Sequence, residues 1–333
     1  MYKEFPFVAS KLFMLSDLNM KKNNGNWQTS GVGSPATLFW RTPMKIIVTI
    51  LASFILSLSA LGIELNSKTV WNITEGLENP ESAYYDDNTK QIFVSNVAGG
   101  PGDVDGNGFI SKIGIDGRII SLKWIEGLNA PKGIRSYGNL LYVTDITSLV
   151  VIDIDAGKVI EKVAIPNAVF LNDIAIDRKG GLYVSDFLGN AIYSYQNGEV
   201  KLVLQSEDLE FPNGLTYYRG ALFAGSWGGP AIADDFTTEF GGQLLRIDLK
   251  DSSLEARTDR LGNLDGLESL GFGYFLATDF IAGKILIVST WNSLQFEVSL
   301  SSGSADLGYV PQKRLILVPN LVESTLSAIR IRP

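Results

Sequence analysis

Hydrophobic and polar residues alternate in short runs over most of the chain, and these runs recur as six similar units. Each unit opens with a polar residue and a short apolar run, passes through a turn, and continues into a second run such as "LYVSD". Alternation with β-branched and aromatic residues predicts β-strands in both runs. The units begin at Glu81, Lys132, Asn172, Asn213, Asp265 and Asp306, at spacings of 51, 40, 41, 52 and 41 residues.

A third alternating run follows in most units, as in "LVVIDID" and "AIYSYQ", and several units have a weaker fourth run. Four short strands repeated at about 40–50 residues are typical of a β-propeller. We therefore predict an all-β, six-bladed β-propeller with four-stranded blades over residues 67–333. The last unit lacks a fourth strand, so residues 67–77 are expected to supply it and close the ring. A β-sandwich is the alternative, but the fixed repeat length argues against it.

The polar residue that opens each unit is expected to face the central channel, because the first strand of a propeller blade lines that channel. Three carboxylates, two amides and one ammonium would then converge. Converging carboxylates repel one another unless they share a proton or a cation. Oxygen ligands favour a hard cation, so we predict Ca²⁺, with Mg²⁺ ranked second and Mn²⁺ or Zn²⁺ as possible substitutes. The competing explanation is that each is a turn residue bonded to its own backbone, which does not account for the shared phase.

Composition narrows the chemistry further. The 333 residues include neither histidine nor cysteine, which excludes Ser-His-Asp triads, His-ligated zinc sites and thiol chemistry. Residues 63–333 carry 22 Lys/Arg against 34 Asp/Glu, a formal net charge of −12. Such a surface repels nucleic acid and suits cations. We expect a small-molecule substrate and no nucleic-acid partner.

Residues 44–62 have the pattern of a signal peptide, with one lysine, an apolar run and small residues near a cleavage site. We predict a secreted or periplasmic protein without stable membrane insertion after cleavage. The alternative is an uncleaved membrane anchor over residues 46–63, although this run is short for a span of about 20 residues. Because signal peptides start at the initiator methionine, we hypothesise that translation begins at Met44. Residues 1–43 would then be absent from the native protein, or disordered.

Four stretches, "NPESAYYD", "FLNDIAID", "FPNGLTY" and "NLDGLE", resemble the senescence marker protein/gluconolactonase/luciferin-regenerating family of six-bladed propellers. The resemblance covers roughly residues 68–333 and extends more distantly to diisopropyl fluorophosphatase and the paraoxonases. It implies that Glu81, Asn172, Asn213 and Asp265 hold a catalytic calcium ion, and that the protein hydrolyses a lactone, ester or organophosphate. The histidines that paraoxonases use near the metal are missing here.

The resulting hypothesis is a calcium-dependent hydrolase of a lactone or related ester. The metal would polarise the substrate oxygen, and Asp265 would act as general base or as nucleophile. Asn172 and Asn213 would hold the ion and help to orient the oxygen that gains charge. Lys132 would bind an anionic substrate or pair with Asp306 or Glu81. The alternative is a non-catalytic propeller that binds a ligand or a protein partner, with calcium as a structural ion.

Further residues are candidates for supporting roles. Asp173 follows a predicted ligand and could orient it, and Asp306 could assist the metal or the substrate. The longest interruption of the repeat, residues 225–242, falls within the fourth unit, and its Trp227 and Phe236 could form an apolar wall of the pocket.

The stretch "GDVDGNGFISKI" resembles part of a calcium-binding EF-hand loop. Its position 12 is Gly114 where an EF-hand has a bidentate Glu, so we interpret it as a glycine-rich connection between strands.

Overall fold

The computed structural model describes residues 21–23, 26–28, 66–233, 235–291 and 293–332. The predicted signal peptide at 44–62 lies outside these residues, as does most of the segment 1–43. The chain divides into two units, 1–43 and 44–333. In the first unit the described strands Lys21–Asn23 and Asn26–Gln28 pair antiparallel.

The described part of the second unit is the predicted six-bladed propeller, built from six four-stranded antiparallel sheets. Blades 1 to 3, each from the innermost strand outward, are Pro80–Asp86, Gln91–Asn96, Gly108–Gly114 and Ile119–Leu128; Pro131–Tyr137, Leu140–Asp145, Ser148–Asp153 and Lys158–Ala164; and Leu171–Ile176, Leu182–Asp186, Ala191–Gln196 and Glu199–Gln205. Blades 4 to 6 are Pro212–Tyr218, Ala221–Ser226, Leu244–Asp248 and Leu254–Ala256; Leu264–Gly271, Tyr274–Asp279, Lys284–Ser289 and Ser293–Ser299; and Gly308–Val310, Leu315–Asn320, Thr325–Arg332 and Asn66–Ile73.

The ring closes as the sequence predicts. The N-terminal strand Asn66–Ile73 pairs antiparallel with Thr325–Arg332 and becomes the outermost strand of blade 6. A second closure lies near the axis, where the backbone N–H of Asp306 donates to the carbonyl of Glu81 (2.9 Å). The first and last strands of the propeller therefore belong to one sheet. This pairing closes the ring, because Asn66–Ile73 covers the edge that Thr325–Arg332 would otherwise leave unpaired.

Helical structure is almost absent from the described residues, whose only helical segment is the 3₁₀ turn Glu207–Leu209. The described residues also include no helix with the length and apolar character required to span a bilayer.

The core lies between neighbouring blades, where the apolar faces of two sheets pack together. Between blades 1 and 2, for example, Phe93 and Ile110 contact Ile134, Leu141 and Val150, all fully buried. Burial of each such side chain stabilises the fold by about 1.5–3 kcal/mol. The alternation of the strands thus supplies one apolar face to each neighbouring blade.

The insertion predicted at 225–242 is a hairpin in blade 4. Its strands Gly228–Ile232 and Thr238–Gly241 pair with each other between the second and third strands of the blade. The hairpin leaves the four-stranded sheet intact and lies where the second strand of the blade ends.

Candidate active site

A pocket of about 170 Å³ opens at the end of the channel where the innermost strands begin. Its deepest wall, here called the floor, consists of the buried polar side chains Glu81, Lys132, Asn172, Asn213 and Asp265. These residues open five different units of the repeat. Five chain-distant polar groups that the sequence placed at one phase therefore share one cavity.

Strand register explains this convergence. In each of the five blades, the residue before the floor position pairs with the end of the second strand, as Leu171 pairs with Asp186. The register then shifts, so that the ladder resumes three residues later at Ile174. The same shift occurs in blades 1, 2, 4 and 5. Such an irregularity re-aims side chains at the rim of a sheet, and here it accompanies every polar floor residue.

The same register corrects one prediction. In blade 6 the residue that pairs with the end of the second strand is Ser304, opposite Asn320. The floor position of that blade is therefore Ala305, and Asp306 lies one residue deeper, in register with Ser82 of blade 1. The spacing of the repeat placed Asp306 at the shared phase because the unit was aligned one residue too late.

A recurrent hydroxyl compensates for the interrupted ladder. The Ser185 Oγ accepts the backbone N–H of Asp173 (2.9 Å) within blade 3 and donates to the carbonyl of Asn213 (2.7 Å) in blade 4. Thr278 makes the equivalent pair of bonds, accepting from Gly266 and donating to Ala305 (both 2.8 Å). The Ser or Thr at the penultimate position of the second strand thus satisfies a donor that the shifted register exposes and links two blades beneath the floor.

The oxygens of the floor are unusually short of partners. One buried oxygen in each of Glu81, Asn172, Asn213 and Asp265 has no hydrogen-bond partner in the described chain. Leaving a buried acceptor unpaired costs about 1–3 kcal/mol, and more for a charged group. Four such oxygens around one cavity are suitable ligands for a hard cation, since Ca²⁺ binds mixed carboxylate and amide oxygens.

Electrostatics supports the same interpretation. Burial, followed by the negative charges of Asp265 and Asp306, raises the pKa of Glu81 well above its ordinary value. Burial, with Asp306 and Asp173, likewise raises the pKa of Asp265. A cation among these oxygens would offset the repulsion and hold both groups as carboxylates.

The floor has two carboxylates, and the remaining oxygens come from amides. Across the described residues no cluster of three or more His, Cys, Asp or Glu side chains is arranged to hold a metal. The four residues nevertheless fit Ca²⁺, because the two carboxylates balance its charge and the two amides add neutral oxygen ligands. They fit Zn²⁺ poorly, since nitrogen and sulfur ligands are missing.

Lys132 is held by contacts other than the pairing with Asp306 or Glu81 that the sequence suggested. Its Nζ donates to the carbonyls of Pro101 and Ala130 (both 2.9 Å) and lies 4.2 Å from the centre of the Phe170 ring. Burial lowers its pKa to about 8, against the attraction of Glu81 and Asp145. The ammonium is therefore fixed in place at the edge of the floor.

A buried ionic cluster lies deeper in the channel. Arg135 contacts Glu268 (3.3 Å), Asp173 (3.5 Å) and Asp306 (3.8 Å). Burial alone would lower the pKa of Arg135, but the three carboxylates raise it above its ordinary value. The channel thus holds five carboxyl groups against Lys132 and Arg135. Counted as ionised, the floor has a formal net charge of −1 and the deeper cluster one of −2. Arg135 does not occupy a position that the repeat marks as polar, so the sequence did not predict its role.

Asp173 and Trp227 occupy the places suggested for supporting residues. Asp173 lies directly beneath the floor, where its carboxylate accepts the backbone N–H groups of Ile174 (2.6 Å) and Leu215 (2.7 Å). The Trp227 ring lines the pocket, and its indole N–H donates to the carbonyl of Phe236 (2.8 Å) at the tip of the inserted hairpin. Asp306 accepts a bond from Ser82 (2.6 Å) and stays outside the pocket lining.

The acidic loop of blade 1 uses its side chains locally. Asp103 accepts the backbone N–H of Gly100 (2.8 Å), and Asp105 accepts both the backbone and side-chain N–H groups of Asn107 (2.9 and 2.7 Å). These are turn contacts, in keeping with a loop between strands.

Solved structures share this fold at low sequence identity, and neither a family model nor a curated protein matches the chain. A gluconolactonase from Xanthomonas campestris superposes with a TM-score of 0.59 at 11% identity, covering 80% of this chain and 90% of its own. A streptogramin B lyase gives 0.57 at 12%, covering 80% and 98%. A catalytically inactive histidine-to-alanine variant of virginiamycin B lyase from Staphylococcus aureus, determined with quinupristin, gives 0.53 at 16%, covering 80% and 99%. At these identities the likeness concerns the fold alone.

Proposed function

We propose that this protein is a calcium-dependent hydrolase of a lactone or related ester, with Glu81, Asn172, Asn213 and Asp265 as the metal ligands. One observation carries the proposal: each of these four residues presents a buried oxygen without a partner to a single pocket. The gluconolactonase among the structural neighbours makes a hydrolase on this fold plausible. Secretion through residues 44–62 belongs to the same proposal.

Calcium bound at the floor would act as a Lewis acid on the carbonyl oxygen of the substrate. Asp265 would take a proton from water while the water oxygen bonds to the carbonyl carbon. The bond from that carbon to the ring or alcohol oxygen then breaks, and the proton passes to this departing oxygen. In the alternative, the Asp265 carboxylate attacks the carbonyl carbon and the bond from that carbon to the ring or alcohol oxygen breaks. The departing oxygen takes a proton from water, and the resulting hydroxide cleaves the acyl–Asp265 bond, which releases the acid and regenerates the carboxylate.

The other floor residues would support this chemistry by position. The Ser185 hydroxyl and the buried Asp173 carboxylate hold the backbone around Asn172 and Asn213, so the two amide oxygens are oriented before a substrate arrives. The Lys132 ammonium, fixed by two carbonyls, would add positive potential beside the reacting oxygen.

Lyase chemistry of the neighbouring type is disfavoured. The virginiamycin B lyase variant is inactive after replacement of one histidine by alanine, and this chain contains no histidine. The ionisable groups of the floor are Glu81, Asp265 and Lys132. We assign the general base to Asp265, because the Lys132 nitrogen is engaged with two backbone carbonyls.

The test is hydrolysis of a panel of lactones and aryl esters by the full-length protein with calcium, with chelator, and after calcium is restored. Turnover that disappears with chelator and returns with calcium is expected, together with a loss of about 10²- to 10⁴-fold in Asp265→Asn. Turnover that persists in Asp265→Asn at the original rate would refute the assignment. Thermal stabilisation by calcium without turnover of any substrate would instead favour the non-catalytic binding protein.

A further inference from the structure

The walls above the floor follow a second regularity of the repeat. In every blade the second strand ends at a buried polar residue, and the next residue is apolar: Val97, Ile146, Phe187, Trp227, Phe280 and Leu321. All except Ile146 line the pocket. We call Val97, Phe187, Trp227, Phe280 and Leu321 the collar. The ring that brings the floor residues together therefore also brings together an apolar wall.

Aromatic rings of the collar form a continuous arc. Phe187 packs edge-on against Trp227 with ring centres 5.5 Å apart, and Trp227 lies 5.5 Å from Phe280. Phe170, which enters from the connection between blades 2 and 3, extends the arc at 6.2 Å from Phe187. Phe236 at the hairpin tip also lines the pocket and remains 45% exposed. A ligand above the floor therefore meets mainly ring faces and edges.

Few polar groups next to these walls have a free hydrogen-bonding position. The indole N–H of Trp227 is bonded to the carbonyl of Phe236, and two bonds of the Lys132 ammonium go to backbone carbonyls. A substrate carrying several hydroxyl groups would lose its water there without equivalent partners, which is unfavourable for each hydroxyl. An apolar group would gain from the same burial.

We propose that the pocket selects a lactone or ester whose non-reacting part is an aromatic ring or a hydrocarbon group of similar size, and that it rejects polyhydroxylated sugar lactones. The pocket volume of about 170 Å³ suits one such group, since an apolar cavity of about 150 Å³ accommodates benzene. The inference rests on the proposed function for the reaction, but the selectivity of the pocket can be tested without turnover.

The experiment compares two unreactive lactams by calorimetry on the calcium-loaded protein. Dihydroquinolinone mimics the aryl lactone dihydrocoumarin, and gluconolactam mimics a sugar lactone. Dihydroquinolinone is expected to bind at least about tenfold more tightly, the ratio that about 1.4 kcal/mol of apolar burial produces. In parallel, hydrolysis of dihydrocoumarin and gluconolactone is measured.

Substitutions of the residue that follows the second strand, made in two different blades, provide a test and its control. Trp227→Ala should weaken dihydroquinolinone binding by about tenfold, and Trp227→Phe should restore most of it. Ile146→Ala, at the same phase in blade 2 but outside the pocket, should leave binding unchanged. Circular dichroism and calcium affinity identify any variant that fails to fold, and Phe280→Ala then replaces Trp227→Ala.

The outcomes separate the two proposals. Preferential binding of dihydroquinolinone without hydrolysis of any lactone supports the apolar selectivity and removes only the hydrolase assignment. Equal or tighter binding of gluconolactam overturns the inference, even if calcium-dependent hydrolysis occurs. Failure of both lactams to bind also overturns it, as does a Trp227→Ala variant that folds and binds dihydroquinolinone normally.

Discussion

The hydroxyl of Ser185 in blade 3 donates to the backbone carbonyl of Asn213 in blade 4 at 2.7 Å. The same oxygen accepts the N–H of Asp173 at 2.9 Å. A residue that looks like an ordinary strand serine therefore joins two blades directly beneath a floor residue. The position of Asn213 is thus determined by a bond from the neighbouring blade as well as by its own strand.

Removal of this hydroxyl should destabilise the ring. In Ser185→Ala, the N–H of Asp173 and the carbonyl of Asn213 lose a buried partner, so we expect the free energy of unfolding to fall by about 1–3 kcal/mol. Urea denaturation measures this change. Ser194→Ala on the next strand is the matched control, because the Ser194 side chain makes no hydrogen bond within the described residues, and it should change stability by at most about 0.5 kcal/mol. Equal effects of the two substitutions would contradict the bridging role.

Calcium should stabilise the protein through the floor. Saturation at about 100 times the dissociation constant would add about 2.7 kcal/mol to the free energy of unfolding. Glu81→Gln should abolish this increase, because it removes one of two floor carboxylates. The calcium-free variant should be at least as stable as the calcium-free parent, since a buried, repelled carboxyl group is gone.

Thermal unfolding with and without calcium checks this prediction. Glu126→Gln, which alters an exposed carboxylate, is the control and should keep the full calcium response. A Glu81→Gln variant that is destabilised but still stabilised by calcium would show that Glu81 is structural and not a ligand.

The inner strands should tolerate no side chain at Gly214. A Cβ there would lie 2.1 Å from the backbone oxygen of Asp265 in the next blade. Gly214→Ala should therefore destabilise the protein by about 3 kcal/mol or more through overpacking. It should also weaken calcium binding, because both neighbouring ligands would shift.

Gly102→Ala is the control for this substitution in denaturation and calorimetry. Its Cβ would approach no atom closer than 3.9 Å, so a change within about 0.5 kcal/mol is expected. Normal stability of Gly214→Ala would mean that the inner strands are less closely packed than described.

The carboxyl group of Glu268 should make stability depend on pH. Burial raises its pKa from 4.5 to about 7, against the attraction of Arg135. The folded protein then holds a proton that the unfolded chain releases, so this group stabilises the fold below pH 4.5 and loses that contribution as the pH rises to about 7. The loss should be about 1–3 kcal/mol, towards the lower value because the side chain is 22% exposed.

Glu268→Gln should remove this part of the pH dependence. The calcium-free parent and variant are compared by urea denaturation across the same pH range, so that other buried carboxyl groups contribute equally to both. The difference in unfolding free energy between them should change in favour of the variant as the pH rises. A difference that stays constant with pH would show that Glu268 is ionised throughout.

Much of this molecule follows from the alternation of residues and its repeat length. The period predicted six blades and four strands, and the missing strand of the last unit predicted the closure by Asn66–Ile73. These features are local or additive, because each strand needs only its own apolar face and each blade resembles the next. For the same reason, the sequence alone predicted that Glu81, Asn172, Asn213 and Asp265 occupy the same position in their repeat units.

What only the tertiary structure decided lies between the blades. Ala305 and Asp306 are adjacent in sequence, yet strand register places Ala305 at the floor position and Asp306 beneath it. Arg135 contacts Asp173, Glu268 and Asp306 only because four blades meet at the axis. The phase of a repeat specifies which face a side chain takes, whereas the partners it meets there depend on how the ring closes, and no single blade contains that information.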